Sequence, residues 1–409
     1  MIELRGPDKP LTGTFHLPLS KSLINRQLIL AAQAGLFPEM TDPDLPEDVR
    51  QLAHLLTHPG PEWDAGAGGT TLRFLTAYLA LHDRRGKVTG TARMQERPIA
   101  PLVNALIQLG ADIEYGGTTG CPPIHLNGFT AQSADRVQLD PSSSSQFLTA
   151  LLLAAPGLPH GMTIHLTRPV TSRPYLDMTL AVLNHWGVQT RMDDQEIHVA
   201  PCRISPRQLV LEADWTAASY AYGMLALAPE GSRLHLPRLY LSGLQGDEIL
   251  ATWMTPFGIR SVPSPDGITI IRDRVTRPPD LHMDMADNPD LAQTMAVLCA
   301  LSGIESEFSG LHTLRIKETD RTLALQMELR KMGVHFAPVE NRPDTWRLSG
   351  QATAPSGAFS TYHDHRMAMA FSLASLRFPC QIEDPSVVDK SFPAFWQQLE
   401  AVGFRIKAG

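Results

Sequence analysis

Cysteine is scarce in this chain: 409 residues hold four, Cys121, Cys202, Cys299 and Cys380, far apart in sequence. They form no CxxC pair and no Cys/His set, which argues against a zinc site or a disulfide framework and suits free thiols in a reducing cytosol. Positive charge is in deficit as well. The formal charge is -7 and the pI is about 6.1, so nucleic acid and anionic membranes are disfavoured as the main partner. Apolar runs are short: the longest, near Phe147–Ala155, cannot cross a bilayer. Met1-Ile-Glu-Leu-Arg5 lacks the basic start and apolar stretch of a signal peptide, so a cytoplasmic location is expected. There is no low-complexity segment, no GxxxxGK[ST] loop and no dinucleotide fingerprint. His363, Asp364 and His365 come nearest to a metal set. Side chains two apart do not share a helical face, and no further His or Cys completes the set. No metal and no cofactor are expected.

What the chain has is a repeat. Apolar helices rich in Ala, Leu and Met are expected to start near Ser22, Thr70, Ser144, Ala217, Asp290 and Asp364, at intervals of 48, 74, 73, 73 and 74 residues. A helix apolar on all sides belongs in a core. Between these lie amphipathic segments, Arg97–Leu109, Arg173–Trp186, Glu318–Met332 and Phe392–Val402, each followed by a Gly and a β-type run. Each unit therefore reads as strand, helix, strand, helix and further strands, an α/β architecture with inner and outer helices. Three units per half give two similar domains. The units are longer than those of a solenoid. The short first interval implies that about one strand pair is missing between Leu56 and Gly66. The Pro/Gly-rich patches Pro263–Gly267 and Arg342–Ser356 read as connections between strands.

Helix starts collect the chemistry. Helix N-termini expose free N–H groups and the positive dipole end, a place for anions if the ends converge. Ser20-Lys21-Ser22-Leu-Ile-Asn25-Arg26 places Ser22 and Arg26 on one face, with Lys21 at the entrance. Gly66-Ala67-Gly68-Gly69-Thr70-Thr71-Leu72-Arg73 allows close backbone approach to a ligand, although a tight turn also needs glycine. Arg93-Met-Gln-Glu96-Arg97-Pro98 offers arginine forks for phosphate or carboxylate, against the plainer reading of a surface ion pair. The run Ser142–Ser145 before Gln146 has more hydroxyls than a cap requires, and Ser172-Arg173-Pro174-Tyr175 repeats the pattern. Asp284-Met-Ala-Asp287-Asn-Pro-Asp290 leads into an apolar helix, where a carboxylate also serves as a cap. Lys317-Glu318-Thr319-Asp320-Arg321 is expected to put Lys317 and Arg321 on one face. His363-Asp364-His365-Arg366 and Lys390-Ser391-Phe392-Pro393 complete the series.

Lys21, Arg26, Arg73, Arg97, Lys317, Arg321, Arg366 and Lys390 together would neutralise several negative charges in a chain that is acidic overall. Asp290 and Glu318 add groups for proton transfer. The residues alone thus describe a transferase or isomerase acting on one or two small phosphorylated anions, without metal or nucleotide.

These segments together resemble the 5-enolpyruvylshikimate-3-phosphate synthase family of enolpyruvyl transferases. The likeness rests on Ser-Lys-Ser-x-x-Asn-Arg at Ser20–Arg26, Arg-Met-x-Glu-Arg-Pro at Arg93–Pro98 and Ser-Ser-Gln-Phe at Ser144–Phe147. Lys-Glu-Thr-Asp-Arg at Lys317–Arg321 and Asp-His-Arg-Met-Ala-Met at Asp364–Met369 continue it. The resemblance implies the enolpyruvyl transferase fold: two domains of three βαβαββ repeats, residues 20–212 with a shortened first repeat, and 1–19 plus 213–409. It implies crossovers near Ser20 and Glu212, a first strand near Met1–Phe15 joined to the C-terminal domain, and an active site in the cleft between the domains.

It further implies transfer of enolpyruvyl from phosphoenolpyruvate to the 5-hydroxyl of shikimate 3-phosphate, in the shikimate pathway to chorismate, by the enzyme that glyphosate targets. Shikimate 3-phosphate would be held by Lys21, Ser22, Arg26, Ser144, Ser145, Gln146, Ser172, Asp290, Thr313 and Lys317. Phosphoenolpyruvate would meet Lys21, Gly69, Arg97, Arg321, Arg366 and Lys390. Asp290, Glu318 and Lys21 would be catalytic. These small molecules would be the partners of a monomer, with no nucleic acid and no membrane. The chain departs from the family where Asn-Ala-Gly-Thr becomes Ala67-Gly68-Gly69-Thr70, where a Pro becomes Phe74, and where an Asn becomes Thr313. Gly69 leaves room for glyphosate, which favours sensitivity. Two alternatives share the architecture. One is the transferase acting on UDP-N-acetylglucosamine, which relies on a loop cysteine that Cys121 would supply; the other is a binding protein without turnover.

Overall fold

Capping and core burial explain where the helices fall in this computed structural model, which describes residues 1–58, 60–142, 144–273 and 280–409. Ser143, in the serine run, lies outside the described residues. In one unit, residues 21–42 and 48–211, the helices α1 (Lys21–Gln33), α2 (Glu47–Thr57, whose first residue belongs to the other unit), α3 (Gly69–Leu81), α4 (Ala100–Leu109), α5 (Ser145–Ala154) and α6 (Arg173–His185) alternate between core and surface. In the other unit, residues 1–20, 43–47 and 212–409, the series continues with α7 (Trp215–Leu227), α8 (Leu250–Trp253), α9 (Ala292–Ser302), α10 (Arg321–Lys331), α11 (His365–Phe371) and α12 (Phe395–Ala401). The odd-numbered helices are the apolar inner ones; all residues of α7 and all but Ser302 of α9 are buried.

Start signals are side-chain caps. Ser144 Oγ accepts the Gln146 N–H at 3.2 Å, Asp214 the Ala217 N–H at 2.8 Å, and Asp364 the Arg366 N–H at 2.9 Å. Each such cap stabilises its helix by about 1 kcal/mol. Asp320 accepts from both Thr322 and Leu323 at 3.1 Å, so α10 begins at Arg321. Lys317 and Glu318 consequently stand in the approach to the helix and not on its face, which corrects the expected Glu318 start. Fully burying each Leu, Ile or Phe of the inner helices contributes about 1.5–3 kcal/mol. Gly223, mid-α7, marks close packing: a Cβ there would lie 2.9 Å from Leu373 Cδ1.

The sheets repeat one pattern, a parallel pair extended by two antiparallel strands. In the 21–211 unit the orders are Glu62–Asp64, Gly86–Thr89, Ile124–Phe129, Ala111–Tyr115 and Arg136–Leu139, Met162–Leu166, Glu196–Val199, Thr190–Met192. The other unit has Thr12–Thr14, Arg233–Pro237, Gly267–Arg272, Ile259–Ser264 and Leu281–Asp284, Ser306–Ser309, Arg342–Ser349, His335–Val339. A third sheet there runs Cys380–Ile382, Ile2–Arg5, Arg405–Ala408, and Phe359 bridges Ile382 in the parallel sense to complete the pattern. The N-terminal residues thus give two strands to this unit, where one was expected.

The shortening of the first repeat goes further than one strand pair. Among the described residues no strand lies between Lys21 and Thr57, so α1 and α2 have no sheet of their own. A two-stranded remnant is marginal without a third strand or a packing partner. The patch Arg342–Ser356, read as a connection, instead begins with an eight-residue strand. Asn341, at φ 60, closes a tight turn ahead of it, and Trp346 and Leu348 alternate into the core.

Candidate active site

In the 21–211 unit the first turns of the inner helices share side chains. Arg26 of α1 is 2% exposed. Its Nε donates to Thr179 Oγ1 of α6 at 2.9 Å, Nη1 to the Ser22 carbonyl at 2.6 Å and Nη2 to the Tyr175 carbonyl at 3.2 Å. The guanidinium lies over Phe74 at 5.6 Å and Tyr175 at 5.8 Å. Burial lowers its pKa to about 10, partly offset by Tyr175, so it stays cationic at neutral pH. Phe74, the departure from proline, therefore supplies an aromatic face to this cation. Ser172, the residue before α6, is 7% exposed and sits in the left-handed region, φ 56, ψ 54, conformational strain of the kind that clusters at binding sites.

Gln146 joins α5 to α3. It accepts from Arg73 Nη1 at 2.6 Å and donates to Thr70 Oγ1 at 3.2 Å. Arg73 also donates to the Pro98 carbonyl at 3.1 Å and lies 5.1 Å from the Phe147 ring centre. Arg73 and Arg97 leave no room for a side chain at Gly69: a Cβ there would meet Arg97 Nη1 at 2.8 Å and Arg73 Nη1 at 2.9 Å. Lys21, at the start of α1, pairs with Asp48 of α2 at 3.1 Å. Ser144 caps α5, and Ser145 is buried beside it. The unit thus brings together Gly69, Arg97, Ser144, Ser145 and Gln146 at one locus, and Ser22, Arg26 and Ser172 at another joined to it through Phe74.

The other unit assembles the carboxylates. Asp290 lies on a 3₁₀ turn, Pro289–Leu291, that leads into α9. Its Oδ1 accepts from Arg321 Nη1 at 2.9 Å and stands 3.8 Å from Lys317 Nζ, while Oδ2 accepts from Arg366 Nη2 at 2.8 Å. Burial opposes ionisation here, but Arg366, Lys317 and Arg321 outweigh it and hold the carboxyl well below its usual range. Glu318 accepts from Lys390 Nζ at 2.7 Å and from Arg321 Nη2 at 3.0 Å. Arg321 is 1% exposed and touches Asp290, Glu318 and Asp364. Burial works against its charge, yet the three carboxylates raise its pKa. Thr313, on the turn His312–Ile316, is buried, and its Oγ1 has no hydrogen-bond partner among the described residues.

Three partners were not legible in the sequence: Asp48 behind Lys21, Asp364 behind Arg321, and Asp247, which binds the residue two before Asp290. The one available signal was at Asp364, a cap-type residue directly before an apolar helix. Asp364 faces Arg321, His363 is exposed, and His365 is buried with its Nδ1 3.6 Å from Asp364 Oδ1. Cys121 stands in the turn between Ala111–Tyr115 and Ile124–Phe129, with its backbone N–H on the Thr118 carbonyl.

The architecture is that of the enolpyruvyl transferases. An EPSP synthase structure from Acinetobacter baumannii superposes with a TM-score of 0.75 at 21% identity, covering 100% of this chain and 99% of that one. The enolpyruvyl transferase NikO from Streptomyces tendae gives 0.73 at 14% identity, covering 99% and 98%. Residues 57–399 match the family model described as EPSP synthase (3-phosphoshikimate 1-carboxyvinyltransferase). A 3-phosphoshikimate 1-carboxyvinyltransferase of Bacteroides fragilis strain YCH46 is 38% identical over all of both chains, and one of Photorhabdus laumondii is 35% identical over 98% of each. The chain belongs to the EPSP synthase family, and it is an enzyme, a transferase of the carboxyvinyl group.

Proposed function

We propose that Asp290, Glu318 and Lys21 carry the proton transfers of the family's reaction, and that basic residues at the helix starts bind its substrates. The reaction moves the enolpyruvyl group of phosphoenolpyruvate to the 5-hydroxyl of shikimate 3-phosphate and releases phosphate, in the route to chorismate and the aromatic amino acids. The hydroxyl oxygen adds to the enol carbon, Asp290 takes its proton, and the methylene gains one from Lys21 or Glu318. In the second step a proton leaves the new methyl group, the C–O bond to phosphate breaks, and phosphate departs with the electron pair.

The observation that carries this reading is the relay from Asp290 through Arg321 to Glu318 and Lys390, an acid–base pair fixed by shared cations. Arg366, Lys317 and Arg321 hold Asp290 as a weak base. Phosphoenolpyruvate carries the carboxylate and phosphate that compete for Arg366, and shikimate 3-phosphate competes for Lys317. As the cations are drawn off, Asp290 gains basicity when its substrates are in place. Shikimate 3-phosphate is assigned to Lys21, Ser22, Arg26, Ser144, Ser145, Gln146, Ser172, Asp290, Thr313 and Lys317, and phosphoenolpyruvate to Lys21, Gly69, Arg97, Arg321, Arg366 and Lys390. Four free cysteines, two of them buried, support a reducing cytosol. Large exposed apolar side chains are mostly scattered, which supports a monomer.

Phosphate release from the two substrates tests the assignment. Asp290→Ala should lose about 10²–10⁴-fold in turnover while calorimetry still shows shikimate 3-phosphate binding. Near-normal turnover would remove Asp290 from the chemistry.

A further inference from the structure

Asp247 is a buried carboxylate that takes no part in the proton transfers. It is 5% exposed, on the 3₁₀ turn Gly246–Ile249 ahead of α8. Its Oδ2 accepts from Thr216 Oγ1 in the first turn of α7 at 2.6 Å, and its Oδ1 from Asn288 Nδ2 at 2.9 Å. Asn288 is 5% exposed as well. Its carbonyl accepts the Leu291 N–H at 3.1 Å, closing the turn that carries Asp290. One carboxylate therefore joins three segments through side chains, and one of them bears the base. Thr216 is also buried, so little solvent competes for these bonds.

We infer that Asp247 is a positioning residue for Asp290, acting through the side chain of Asn288. This rests on the assignment of Asp290 as the base. An ionised carboxylate accepts only, so it fixes which end of the Asn288 amide faces it, and with that the turn Pro289–Leu291. A neutral group at position 247 leaves both amide orientations open. The arrangement carries a cost that stability alone does not explain. Burial first, with Asp290 adding to it, raises the Asp247 pKa to about 6 against the opposing pull of Thr216, Asn288 and Arg366. An apolar residue would relieve that cost and would leave the base turn without its anchor.

A double-mutant cycle separates positioning from general packing. Asp247→Ala and Asn288→Ala should each lower kcat by about 10²-fold, the scale of a misplaced catalytic group, with little change in either KM. The double variant should lose no more than the worse single, because both break one connection. Asp247→Asn, which keeps a partner for Asn288, should recover part of kcat. Losses that multiply in the double variant, or an unchanged kcat in the single variants, overturn the inference. If Asp247→Ala fails to fold by circular dichroism, Asn288→Ala and Asp247→Asn carry the same test: kcat near wild type in Asn288→Ala overturns the inference. Asp290→Asn run in parallel distinguishes the two claims. Retained turnover there sinks the base assignment, whereas lost turnover beside an unaffected Asn288→Ala sinks only the positioning role.

Discussion

Arg321 and Asp364 meet at two points, Nε to Oδ2 at 2.7 Å and Nη2 to Oδ1 at 3.4 Å, in a place where neither side chain is more than 1% exposed. The planar guanidinium matches the carboxylate along its Nε edge and leaves Nη1 and the rest of Nη2 for Asp290 and Glu318. Asp364 also caps α11, so one buried carboxylate orients the arginine and starts the helix that presents Arg366.

Asp364→Ala should therefore be costly. It removes the cap and leaves a buried cation with one fewer anion, and breaking such a pair from one side costs about 3–5 kcal/mol. Urea unfolding of wild type and variant measures this directly. A loss below about 1 kcal/mol, the scale of an exposed pair, would contradict the anchoring role.

Gly69→Ala should act on binding and hardly on stability. Alanine favours a helix start over glycine by up to about 1 kcal/mol, but its methyl would stand 2.8 Å from Arg97 Nη1 and 2.9 Å from Arg73 Nη1. Arg73 is held by Gln146 and the Pro98 carbonyl, so Arg97 is the group expected to move. The KM for phosphoenolpyruvate should rise by roughly tenfold or more, that of shikimate 3-phosphate much less, and the melting temperature should stay close to wild type. Equal changes in both KM values would contradict the assignment of Arg97 to phosphoenolpyruvate.

The sequence announced what local chemistry determines. Apolar Ala, Leu and Met runs after Ser144, Asp214 and Asp364 mark the inner helices because burial and capping are both written within a few residues. It misled where a competing local signal was missed. Asp320 caps α10 and leaves Lys317 and Glu318 ahead of it, and the alternation of Trp346 and Leu348 outweighs the Pro/Gly content around them. It was silent on partners distant in the chain. Lys21 with Asp48, Arg26 with Thr179 and Asp247 with Asn288 are separated by 27, 153 and 41 positions. Such pairs have no spacing of their own; only the packing of helices and turns sets them side by side.

The buried Asp247 and the partly buried Asp290 should give opposite pH responses. For Asp247 the folded pKa, about 6, lies above the ordinary carboxyl value. Its protonated form favours folding; that contribution is full below the unfolded pKa and is lost as pH rises through about 6. Two pH units amount to about 3 kcal/mol at most. The groups facing it, Thr216, Asn288, Asp290 and Arg366, remain in place in Asp247→Asn, whose stability relative to wild type should improve between pH 4 and pH 7, in roughly that window. Asp290 behaves inversely: its folded pKa is depressed, so its stabilisation is present above the unfolded pKa and lost as pH falls through the folded one. Asp290→Asn should therefore compare worst with wild type near neutrality and recover in acid. Urea midpoints for the three proteins check both signs, from about pH 4 to about pH 7 for Asp247→Asn and below about pH 4 for Asp290→Asn, and parallel curves for the two variants would show that neither carboxylate is perturbed as its surroundings require.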